Sequence, residues 1–317
     1  MDSIVKKLSG RFSWLLFTLT AAFAAAALRR WQLASAFEGP SGLPISGAPA
    51  SVTLACVLVM AAAWFLILAV HQPLSHRPKA PGQAHRWDLI FLDAGDPVYP
   101  ILVVLAAFLA LGAAPFLLRT GLAQWQEYQK VRELLAQGID AQLPTNNGML
   151  AMATAAGALL SFLGLLQMGR DGLHPGRRGK GGFSAALPGT AGCVWLMESF
   201  RGHAANPVQW DYAPLLLAIV CGMLFYMDFA GMSTSAARPR RLLWMAAMTL
   251  TLSAPAIVSA LAEHTLADLL LLFAQALAAA AVLWRLPPNL ERPPRLNGTP
   301  IPPVSGEVSI QEETTYE

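Results

Sequence analysis

Apolar residues in this chain come in long unbroken runs, separated by short polar segments. Eight runs are legible, at 12–29, 51–70, 98–118, 148–168, 183–200, 212–231, 242–261 and 267–285. Each approaches the roughly 20 apolar residues that a helix needs to cross about 30 Å of hydrocarbon. In lipid, backbone amides must find partners within their own segment, so such runs are helical. The pattern predicts an all-α fold, a polytopic helical membrane bundle of about eight transmembrane helices. The fifth run is the most interrupted, by Pro188, Gly189 and Gly192.

Composition supports lipid as the solvent. The chain has 317 residues, 55% hydrophobic and 13% charged, against roughly 25% charged in a soluble domain. Mean hydropathy is +0.47. A soluble chain of this length has no core large enough to take that excess. A net charge of +3 is too mild to point to nucleic acid. Cys56, Cys193 and Cys221 all lie inside apolar runs. Their spacing forms neither a disulfide framework nor a zinc signature, so packing is their expected role.

Basic residues set the expected orientation. Lys and Arg favour cytoplasmic loops. With eight spans and a cytoplasmic N-terminus, only Arg29, Arg30, Arg119, Lys130, Arg132 and Arg201 fall outside. All other Lys and Arg fall inside. Both termini are then cytoplasmic, in a plasma membrane. Lys6, Lys7 and Arg11 before the first run, with Ala24–Ala26 within it, resemble a signal peptide. The immediately following Arg29-Arg30 favours an uncleaved span.

The expected layout is a membrane domain over 1–286 and a disordered, Pro-rich cytoplasmic tail over 287–317. Residues 121–140 carry Trp125, Tyr128, Val131, Leu134 and Leu135 at helical spacing, which predicts a short amphipathic helix outside the membrane. Loop 71–97 holds His71, His76, His85, Asp88, Asp93 and Asp96 without helical metal spacing, and it reads as solvated. The Gly-rich basic segment after span four lacks phosphate-loop spacing and reads as a linker. Gly10-Arg-Phe12-Ser13 matches Gly181-Gly-Phe183-Ser184, and Ala114-Pro115 matches Ala254-Pro255. These pairs suggest a parallel four-plus-four repeat, with halves 1–170 and 181–286. Ala106, Ala110 and Ala114 in span three, and Ala153, Gly157 and Ser161 in span four, suit close helix contact.

Candidate chemistry centres on the turn after span five. Glu198 and Arg201 are placed to pair at i, i+3. His203, Asn206, Asp211 and Tyr212 follow within a short stretch. Asp228 closes span six near Arg238, and Gln275 is the strongly polar residue at a membrane centre. These eight are the candidate ligand-binding residues. No hydrolase or zinc-protease motif is present, so no enzyme activity, cofactor or resident metal is expected. The block Glu198-Ser-Phe-Arg-Gly-His-Ala-Ala-Asn-Pro-Val-Gln-Trp-Asp-Tyr212, followed by a Leu-rich span ending Phe-Tyr-Met-Asp-Phe-Ala-Gly231, resembles blocks in uncharacterised multi-span bacterial membrane proteins. That resemblance implies a bacterial plasma membrane and no particular activity. Two functions are carried forward. One is a non-enzymatic membrane module that binds a protein or lipid partner through its cytoplasmic loops and tail. The alternative is a small-solute permease, with a site near the broken fifth helix and the 198–212 turn.

Overall fold

A computed structural model describes residues 2–38, 43–72, 74, 96–139, 142, 144, 148–173, 184–203, 209–232, 237–291, 295–296 and 299–300. The fold is all-helical. Among the described residues its helices are α1 (Asp2–Ser35), α2 (Pro49–His71), α3 (Val98–Ala136), α4 (Met149–Leu173), α5 (Ala186–His203), α6 (Gln209–Gly231), α7 (Pro239–Ala262) and α8 (Leu266–Glu291). Beyond α8, the two-residue strands β1 (Arg295–Leu296) and β2 (Thr299–Pro300) pair antiparallel. Among the described residues, α2, α3, α4, α6, α7 and α8 are long and apolar enough to cross a membrane.

The end of the bundle where α1 begins is here called proximal, and the opposite end distal. Six helices close into a ring in which α3 packs on α4, α4 on α5, α5 on α6, α6 on α7, α7 on α8, and α8 back on α3. Outside it, α1 lies against α7 and α8, and α2 against α1 and α7. Buried positions follow this arrangement. Helix α7, enclosed on several sides, buries Leu242, Ala246, Thr249, Leu252 and Ala256. Helix α2 instead exposes Val52, Val59, Met60, Trp64 and Ile67, as a lipid-facing helix should. The first four helices do not form a closed bundle of their own, because α3 and α4 complete the ring with α5–α8.

Helix α1 packs one face on the rest of the bundle. Trp14, Thr18, Ala22, Ala25, Arg29 and Gln32 form one buried stripe at steps of three and four. Trp14 Nε1 donates to Gln72 Oε1 at the proximal end (3.0 Å), and Arg29 Nε donates to Ser259 Oγ at the distal end (2.9 Å). At 1.5 Å per residue these contacts stand about 22 Å apart. So α1 runs alongside the apolar helices for most of their depth.

Three boundaries differ from the sequence pattern. The amphipathic segment after span three is not a separate helix: α3 is continuous over 39 residues, with Pro115 inside it. Pro115 is accommodated because Ala113, Ala114 and Leu117 are buried against neighbouring helices. The fifth helix is not broken midway. Pro188 falls in the first turn of α5, where a missing N–H disrupts nothing. At the C-terminal end, α8 continues through Pro287 and Pro288 to Glu291, past the expected start of the tail. Burial of Leu286 and Leu290 offsets the lost backbone bonds. Tail residues 301–317 and the basic linker 174–183 lie outside the described residues, as do His76, His85, Asp88 and Asp93.

Glycine sets the closest approaches. Gly157 faces Ala191 across α4 and α5, and Gly164 faces Ser184 and Pro188. Ala106, Ala110, Ala114, Gly157 and Ser161 are buried within the chain as their spacing suggests, whereas Ala153 is exposed.

Candidate functional site

The ring surrounds a cavity of about 40 Å³. At some 10–15 Å³ per water, it has room for about three waters. Thr154 and Ser161 of α4, Pro188 and Trp195 of α5, Tyr226 of α6 and Gln275 of α8 are among its walls. Thr154 donates to Leu150 O and Ser161 to Gly157 O, so both hydroxyls bond their own helix. Gln275 works between helices. Its Nε2 donates to Ser253 Oγ on α7 (3.0 Å) and to Ala218 O on α6 (3.3 Å). A Cβ on Gly222 would collide with Gln275 Oε1, so glycine there gives the amide its place.

Gln275→Leu keeps most of the side-chain volume and removes both interhelical bonds. Such bonds in membranes contribute about 0.6–1.7 kcal/mol. We expect a loss of about 1 kcal/mol, read as a lower midpoint when the detergent-solubilised protein is unfolded with SDS. A midpoint unchanged from the parent would show that the amide does not hold α6, α7 and α8 together.

At the distal end the 198–212 turn brings its two flanks together. The His203 ring stacks on Tyr212 with centroids 5.0 Å apart, and its Nδ1 lies 2.7 Å from Ser199 O. His203, Tyr212, Ser259 and Glu263 help line a second cavity of about 10 Å³, the size of one water. Glu198 is half-buried and Arg201 exposed. Asn206 lies outside the described residues, as does the Asp211 side chain. Beside this turn, Trp195 Nε1 donates to Asp268 Oδ1 at the start of α8 (2.9 Å). Fully buried Arg29 donates to Ser259 and, through Nη1, to Gln32 Oε1 (2.7 Å).

The proximal end holds a second set of charges. Asp228 pairs with Arg241 at 3.0 Å. Asp96 accepts Trp284 Nε1 at 2.6 Å and the Val98 amide at 3.0 Å. Arg285 is fully buried, with its guanidinium 5.0 Å from the Tyr99 ring centroid. Arg240 Nη2 donates to Gln72 O (3.0 Å), which closes α2 onto α7.

Of the eight sequence candidates, the six with described side chains divide into three places. Glu198, Arg201, His203 and Tyr212 are distal, Gln275 is central, and Asp228 is proximal. The fold does not gather them into one site. Sequence reasoning missed the buried groups Arg29, Asp96, Tyr99 and Arg285, having counted the two arginines as loop charges. A signal for Arg29 was present, because it continues the stripe from Trp14 through Ala25. Among the described residues, no three His, Cys, Asp or Glu side chains come together as a metal-holding group. No protein-family model, curated protein or solved structure matches the chain. Fold and polar sites define a multi-pass helical integral membrane protein.

Proposed function

We propose that all eight helices cross a bacterial plasma membrane, with both termini in the cytoplasm. The depth covered by α1 supports this count, and so does the Lys and Arg bias between the loops. Within that topology the protein is a non-enzymatic membrane module that binds a protein or lipid partner through its cytoplasmic loops and tail. One observation carries the reading: the central cavity holds only about three waters. Thr154, Ser161, Trp195 and Gln275 around it spend their hydrogen bonds on the bundle itself.

A small-solute permease is the second reading, favoured because Gln275 borders a cavity between α3–α4 and α5–α8. Substituted cysteines separate the two. Single cysteines at 188–201 and 214–228, in a background lacking Cys56, Cys193 and Cys221, are treated with a membrane-impermeant thiol reagent. For a closed module, labelling stops at the distal turn. Labelling that continues inward along α5 with helical period would overturn the module and establish a water-filled path.

A further inference from the structure

Sulfur collects along the seam between the antiparallel neighbours α5 and α6. Cys193 Sγ on α5 lies 3.2 Å from Met223 Sδ on α6. One turn toward the proximal end, Met227 follows Met223 at i+4. There it faces Gly189, which precedes Cys193 by one turn; a Cβ on Gly189 would lie 3.3 Å from Met227 Sδ. Cys193 and Met223 thus share one level of the seam, and Met227 sits one turn away. Gly189 and Gly192 leave space for them, since a Cβ on either would press on Met227 or Met223, at 2.9 Å and 3.3 Å. Met223 and Gly192 also border the central cavity, whereas Cys193 and Met227 are exposed on the outer side of the seam.

We propose that Cys193, Met223 and Met227 form a binding site for a soft monovalent metal ion of the Cu(I) type. Thiolate and thioether donors select soft ions, whereas Mg, Ca and Mn take oxygen. Charge selects the valence. On binding, the Cys193 thiol releases its proton to water and forms a metal–sulfur bond, with no electron transferred. Thiolate and monovalent cation then sum to zero charge, and the thioethers add none. A divalent ion would leave a net positive charge among apolar helices, at a cost of several kcal/mol. Methionine's three rotatable bonds let a thioether adapt its position to an ion. The site rests on this seam alone and holds for either functional reading above.

The test uses the full chain in detergent, with Cys56→Ala and Cys221→Ala so that Cys193 is the sole thiol. Ag(I) serves as a redox-inert probe, and maleimide modification of Cys193 is the readout. One equivalent of Ag(I) is expected to block modification. Met223→Leu should weaken that protection at least tenfold and Met227→Leu several-fold, while Met60→Leu on lipid-facing α2 changes nothing. Both seam variants conserve volume, and an unchanged unfolding midpoint confirms the fold for each. Met227→Leu keeps the test open if Met223→Leu misfolds. Absence of protection, or equal protection with both methionines replaced, would overturn the site and leave only silver on a bare thiol.

Discussion

Gly148→Ala is expected to destabilise the bundle by about 2–4 kcal/mol. Gly148 sits just before α4 with φ of +74°, in the left-handed region. A side chain there is strained by about 1–3 kcal/mol. The added Cβ would also collide with Gly121 O on α3 and lie 2.9 Å from the Trp125 amide nitrogen. Those atoms are backbone, so no rotamer change relieves the clash, and overpacking adds about 1–3 kcal/mol. Gly138 separates the two effects. Its φ of +78° is nearly the same, yet nothing lies within 4 Å of the position a Cβ would take. Gly138→Ala should therefore carry only the conformational strain, about 1 kcal/mol. Unfolding by SDS in detergent micelles measures both. Equal midpoints for the two variants would show that α3 and α4 do not depend on the Gly121–Gly148 crossing.

Arg29→Ala is the second large effect, a loss of about 3–5 kcal/mol. Arg29 is fully buried and bonds Ser259 on α7 and Gln32 on its own helix. Hydrogen bonds to a charged group contribute about 1.5–3 kcal/mol each. Truncation also opens a cavity where the side chain was. The adjacent Arg30 is exposed, and Arg30→Ala removes the same charge from the same helix. Its effect should stay within about 0.5 kcal/mol. If the two substitutions shift the midpoint equally, α1 is not fastened to α7 through Arg29, and the loss is one of charge alone.

These predictions lie where the chain's pattern was hard to read. Gly148 was visible as the first residue of the fourth apolar run, but nothing local indicated that Gly121 would meet it backbone to backbone. Arg29 was visible as a charge next to Arg30, and charge alone pointed to a loop. What separates them is one step of helix, about 100°, which buries the first and exposes the second. Gln275 was readable because an amide amid apolar residues is costly without a partner. Its partners Ser253 and Ala218 were not, since they come from two other helices.

The sequence by itself determined the class of protein. Long apolar runs leave lipid as the solvent and helix as the backbone state, and both follow from local chemistry: buried amides need partners, and hydrocarbon excludes charge. Those same constraints act on every membrane helix alike, so they say little about which helix meets which. Tertiary structure decided the closed ring of α3–α8, the outer seat of α1 and α2, and the continuation of α3 and α8 past their apolar runs. It also decided that the candidate residues fall at three depths instead of one, and that Cys193 meets Met223. These outcomes depend on which faces pack together across helices far apart in the chain, and no window along the chain contains both faces of such a contact.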